Sequence, residues 1–124
     1  YYQKMQNLIK QYNLEDYFHF YTESVAYPAV INMCDLFIRP TNTDGDALSI
    51  REAISLKKPA IASDVCKRPE GTILFENRNI DDLYSKTIQV IDNYDEEKKK
   101  IENIEFEDNA EKILELYRKV LNEK

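Results

Sequence analysis

Apolar positions recur along this chain in two alternating rhythms, and that alternation predicts an α/β fold. Tyr2, Met5, Leu8, Ile9 and Tyr12 follow one face of a helix. Residues 13–16 interrupt the pattern with polar side chains, and the aromatic run YFHFY at 17–21 predicts a short strand. Pro28, tolerated in a first turn, opens a helix that continues through residues 29–33. Residues 35–39 (DLFIR) form an apolar strand that Pro40 stops. A polar loop at 41–45 leads into a helix over 47–56, with Asp46 as its N-cap, ended by Lys57, Lys58 and Pro59. Ala60–Ser63 (AIAS) is a strand of small residues, and Thr72–Phe75 (TILF) is another, entered through the turn Arg68-Pro69-Glu70-Gly71. Asn79 caps a long helix whose Asp81 and Asp82 suit its positive end, and Ile80, Leu83, Ile88 and Ile91 supply its stripe. Residues 94–124 form a C-terminal helical segment with Ile113, Leu116, Tyr117, Val120 and Leu121 turned toward a partner surface.

Strands alternating with helices imply right-handed crossovers and a parallel sheet with helices on both faces, here as a single domain over residues 1–124. Ligands in such sheets bind at the carboxyl ends of the strands, which points to the loops at 22–27, 41–45 and 64–71.

Composition narrows the function. With 124 residues, 43% hydrophobic and 32% charged, the chain has the makings of one globular core. A net charge of -6 argues against nucleic acid as a partner, since phosphates call for a basic stripe. The mixed-sign run at 95–100 reads as a solvated helix face. Cys34 and Cys66 lie far apart in strand-like stretches and are expected to be buried free thiols in a reducing compartment. His19, the single histidine, falls between two phenylalanines and reads as a packing residue, not a general base. The chain contains neither GxGxxG nor a P-loop, which disfavours nicotinamide and P-loop nucleotide sites. Its first residue, Tyr1, already lies inside a helical pattern, so the expectation is a fragment of a longer protein.

The loop and helix at 40–52 carry the most chemistry. Gly45 permits a tight turn and a close ligand approach. The helix that follows exposes the amides of Ala47, Leu48 and Ser49, which suit a phosphate or another anion. Ala47, Ile50, Ala53 and Ile54 share an arc that should face the sheet, while Arg51 and Ser55 point outward. Glu52 lies between Leu48 and Leu56, four residues away on either side, where its carboxylate needs a donor. A pair of ligand hydroxyls would supply one, and so would a neighbouring loop.

The string DLFIRPTNTDGDALSIREAISLKKPAIASDV resembles the family-4 type of GT-B glycosyltransferase, the glycosyl transferases of group 1. Asp35, Pro40-Thr41, Asp44-Gly45, Glu52-Ala53, Lys58-Pro59 and Ser63-Asp64 fill the places of that family's motif in order, and RPEGTILFENRNIDDL resembles its next segment. The resemblance covers residues 17–91. It implies the Rossmann-like C-terminal half of a GT-B fold without its first strand–helix unit, which binds a nucleotide-diphosphate sugar as substrate and uses no cofactor or metal. By resemblance, Asp44 is the catalytic-site acid that holds the donor sugar, Glu52 holds the ribose, and Gly45, Asp46 and Ala47 offer backbone amides. Thr22 and Val25 would lie near the base. The implied reaction transfers the sugar, with retention, to a glycan or lipid-linked acceptor in polysaccharide or glycoconjugate synthesis, in the cytoplasm and peripherally at the inner membrane surface. An N-terminal domain of the same protein would complete the site, so these residues alone are expected to be inactive.

Three departures from the family pattern matter. Asp44 stands where the family has glutamate and reaches one methylene less far. Asp46-Ala47 replaces Phe-Gly, so that Asp46 becomes either a helix cap, the favoured reading, or a second sugar contact. The family's basic diphosphate clamp has no counterpart here. Competing readings are a non-catalytic α/β interaction module and a receiver-like signalling domain; the second fits poorly, because Lys58-Pro59 falls mid-chain and no acid pair precedes Asp35.

Overall fold

A computed structural model describes residues 1–107 and 109–122. Its centre is a three-stranded parallel sheet in the order β1 (Phe37–Arg39), β2 (Ala60–Ser63), β3 (Thr72–Phe75). Arg39 lies opposite Ala62, and Ser63 opposite Phe75, so the carboxyl ends of the strands are nearly level. The described residues also form six helices: α1 (Tyr2–Gln11), α2 (Tyr27–Met33), α3 (Leu48–Ser55), α4 (Ile80–Asp92), α5 (Tyr94–Ile101) and α6 (Asn109–Asn122).

The alternation of side chains along β2 builds the core. Ala60 and Ala62 face one side, under Ile31 of α2, Ile50, Ala53 and Ile54 of α3, and Ile101 of α5. Ile61 faces the other side, against Phe75 and Val90 of α4. All four residues of β2 are buried, as the central strand of a doubly covered parallel sheet should be. Small Ala60 and Ala62 are covered on the α3 side by Ile50 and Ile54, while Ile61 meets Val90 on the opposite side, all of them fully buried. Each large aliphatic side chain removed from water here contributes about 1.5–3 kcal/mol. The helices thus lie on both faces, as the pattern requires.

Several helix ends are written in the local sequence. Asn13 adopts φ 53° and ends α1, with the Leu14 amide donating to the Ile9 carbonyl at 3.0 Å. Lys57 does the same for α3 at φ 57°, with the Lys58 amide donating to Ala53 at 2.9 Å. The Asn79 side chain accepts from the Asp82 amide at 3.0 Å and caps α4.

Four expectations need correction. Residues 17–21 are not a strand: 15–17 form a single 3-10 turn and 18–21 are irregular. A strand needs a neighbour for its amides, and no described strand runs beside this segment. Phe20 turns to α1 instead, edge-on to Tyr2 at 5.0 Å, while Tyr17, His19 and Tyr21 are exposed. Asp46 does not cap α3. The N-cap is Ala47, and no side chain closes that end. The α4 stripe rests on Val90 and Leu83, whereas Ile80 and Ile91 are 80% and 59% exposed, because the sheet lies under a different arc of the helix. Cys34 follows α2 at the surface and is exposed, while Cys66 is half-buried.

The apolar face of α6 is present, with Ile113, Leu116, Tyr117, Val120 and Leu121 all more than half exposed in this chain.

Candidate functional site

The carboxyl ends of β1 and β2 carry a compact charged cluster centred on Asp44. Arg39, the last residue of β1, donates from Nε to Asp44 Oδ2 at 2.6 Å and from Nη2 to Oδ1 at 3.1 Å. Arg68, from the loop after β2, donates from Nη1 to Oδ2 at 2.8 Å. The Thr41 hydroxyl donates to Oδ2 at 3.0 Å, and the Gly45 amide to Oδ1 at 3.0 Å. The carboxylate is therefore almost enclosed, its side chain 10% exposed. The Arg39 guanidinium, and then that of Arg68, hold the Asp44 carboxyl far below the usual carboxylate range despite its burial. Asp44 in turn raises the pKa of Arg39.

Arg68 ties two loops together. Its side chain is 2% exposed. Besides Asp44 it donates from Nε to the Ser63 carbonyl at 2.8 Å, and from Nη2 to Ser63 Oγ at 3.1 Å and Thr41 Oγ1 at 3.3 Å. Buried Ser63 completes the link by donating to the Thr41 carbonyl at 2.5 Å. Cys66 adds a thiol bond to the Gly45 carbonyl at 3.2 Å. Nothing in the local sequence around Asp44 points to Arg68, which lies 24 residues further on. The signal that could have found it is the need of a buried carboxylate for a cation.

Glu52 has a different setting. It is half-buried on α3 and lines an open cleft of about 670 Å³, with Pro28, Leu48, Ser55, Leu56 and Phe106 among its walls. No hydrogen bond from a described residue reaches its carboxylate, whereas Asp44, Asp64, Asp82 and Glu97 are each bonded. A second cleft of about 540 Å³, lined by Lys67, Arg68, Pro69 and Ile104, adjoins the first. Asp46, Arg51 and Phe106 belong to both clefts. Arg51 Nη2 bonds both oxygens of Asp46 at 3.1 Å, and its guanidinium lies over the Phe106 ring at 5.3 Å. Both members of the ion pair are more than a third exposed, so it stabilises the fold little.

The sequence-predicted site residues thus fall into two groups. Glu52 and Asp46 line the larger cleft, and Ala47 precedes the uncapped start of α3. Asp44 lines neither cleft and meets the second one through Arg68. The Gly45 amide is turned back onto Asp44. Thr22 and Val25 are exposed in the segment before α2 and line neither cleft, while Pro28 from the first turn of α2 does line the larger one.

Comparison with known proteins gives these features a context. The sequence profile of the family "Glycosyl transferases group 1" matches residues 1–107. No curated protein matches the chain in sequence. The fold resembles that of the C-terminal domain of the glycosyl transferase group 1 family protein LpcC from Francisella tularensis, with a TM-score of 0.66 and 19% identity, over 82% of this chain and 56% of that one. It also resembles sucrose-phosphate synthase from Thermosynechococcus elongatus, with a TM-score of 0.74 and 19% identity, over 98% of this chain and 35% of that one. The chain therefore spans about half of the first of these structures and about a third of the second.

Proposed function

From the premise that this chain belongs to the group 1 glycosyl transferase family, we propose that it is the donor-binding part of an enzyme that moves a sugar from a nucleotide diphosphate to a glycan or lipid-linked acceptor. The observation that carries the assignment is Glu52: a half-buried carboxylate without a protein donor among the described residues, facing a cleft that joins apolar Pro28, Leu48, Leu56 and Phe106 to charged Asp46, Arg51 and Glu107. Vicinal hydroxyls of a ribose supply the missing donors, and Leu48, Leu56 and Phe106 give the nucleoside an apolar bed.

In this reading the diphosphate runs from Glu52 along the uncapped start of α3, where the amides near Asp46 and Ala47 meet its charge. The donor sugar then reaches the carboxyl end of β1, where Asp44 accepts from its hydroxyls. Catalysis is positional and electrostatic: the fixed groups hold the sugar and the leaving phosphate as positive charge develops on the ring, with retention of configuration. The acceptor and the remaining donor contacts come from an N-terminal domain, and the enzyme works in the cytoplasm at the inner membrane surface.

Titration of nucleotide sugars into the full-length protein, with a transfer assay in parallel, tests the proposal. Saturable binding of at least one nucleotide-diphosphate sugar, competed by the matching nucleoside diphosphate and weakened by Glu52→Gln, is the expected result. Binding that ignores Glu52, or sugar phosphates without a nucleoside binding equally well, would overturn it.

A further inference from the structure

The two arginines on Asp44 are not equivalent. The carboxylate offers roughly four lone-pair positions. Five donor contacts already occupy them: two from Arg39 and one each from Arg68, Thr41 and the Gly45 amide. A sugar hydroxyl can donate to Asp44 only if one of these donors leaves.

Burial and bonding decide which one does. Arg68 is 2% exposed and spends its other N–H groups on Ser63 and Thr41, so moving it would strand a buried cation and separate two loops. Arg39 is 32% exposed, and beyond Asp44 it has one long contact, from Nη1 to Ser49 Oγ at 3.4 Å. Its guanidinium can turn to water, provided that the sugar hydroxyls replace the two bonds it gives Asp44. The Gly45 amide is fixed by the backbone, and the Thr41 hydroxyl can rotate but frees only one position.

Resting on the assignment of Asp44 to the donor sugar, we propose that Arg39 is an exchangeable latch that occupies the hydroxyl-accepting positions of Asp44 until the donor sugar displaces it, while Arg68 is the fixed positioning residue that keeps the carboxylate aimed. This goes beyond the acid pair itself. It makes sugar recognition a competition inside the protein and assigns opposite roles to two similar side chains.

The test separates the sugar from the nucleotide. UDP, GDP and ADP, each alone and as its glucose or mannose ester, are titrated into full-length wild type, Arg39→Met, Arg68→Lys and Arg68→Met, with thermal unfolding checked for each. For the pair that the wild type binds, the ratio of sugar-ester affinity to nucleoside-diphosphate affinity isolates the sugar. Arg39→Met is expected to raise this ratio several-fold, because the competitor is gone. Arg68→Met should abolish the preference, and Arg68→Lys, which keeps one charge, should restore part of it. Nucleoside-diphosphate affinity should stay unchanged in Arg39→Met. A ratio that falls or stays constant in Arg39→Met overturns the latch, whether or not Arg68→Met folds. Equal losses in Arg39→Met and Arg68→Lys overturn the division of roles. Wild type that binds none of these ligands defeats the donor-binding assignment, and this inference with it.

Discussion

Arg68 Nη1 lies 2.8 Å from Asp44 Oδ2, joining two loops that the sequence separates by 24 residues. The bond is nearly water-free, with side-chain exposures of 2% and 10%. Without Asp44, Arg68 would be a buried, uncompensated charge, whereas Asp44 without Arg68 would still have Arg39 at 2.6 Å.

Removing the charge of Asp44 therefore has a pH-dependent cost. Its folded pKa is depressed below the unfolded value of about 3.9, so its contribution is fully present above that value and is lost as pH falls through the folded pKa. Asp44→Asn is expected to destabilise by on the order of 3 kcal/mol at pH 7, and the deficit should shrink in acid below about pH 4. Urea unfolding of both proteins across that range checks this. A deficit of constant size would show that the loss comes from shape and not from charge.

Kinetics in the full-length enzyme should distinguish the two acids. If Glu52 holds the ribose as proposed, Glu52→Gln keeps an acceptor oxygen but loses charge-assisted bonds of about 1.5–3 kcal/mol each. Ribose is held alike in ground and transition states, so donor KM should rise at least about 10-fold while kcat changes less.

Asp44→Asn, assayed below its unfolding temperature, should show the reverse. In the proposed role this carboxylate aligns the reacting sugar and meets its developing charge, so kcat should fall by a larger factor than KM rises. A mirror-image result for the two variants would exchange their roles, and wild-type rates for both would remove the pair from the site.

Gly71 offers a test of the fold away from the acids. Its φ is 82°, and an added Cβ would lie 2.5 Å from Ile104 Cδ1 and 3.0 Å from Ile101 Cγ2. Gly71→Ala combines backbone strain with overpacking and should cost about 1–3 kcal/mol. A clear drop in Tm is the expected readout. An unchanged Tm would mean that the segment after α5 does not pack on this turn.

What the sequence by itself determined is whatever one element settles internally. The inward arc of α3, formed by Ile50, Ala53 and Ile54, and the alternation of Ala60, Ile61 and Ala62 follow from helix and strand periods. The Asn79 cap and the left-handed turn at Asn13 follow from side chains that satisfy or tolerate the local backbone. The placement of Glu52 between Leu48 and Leu56 is of the same kind. Tertiary structure decided the rest. The aromatic run at 17–21 has strand propensity, but pairing is a property of two segments, and the second is absent among the described residues. Asp46 has a cap's chemistry one residue too early, and Arg51 takes its charge. Whether Asp44 faces solvent, a ligand or two guanidiniums depends on long-range burial, which sets the cost of a bare charge, and on which cations the fold brings to it. Periodicity and capping act over a few residues, whereas desolvation and ion pairing act through space, and only the folded chain makes Arg68 a neighbour of Asp44.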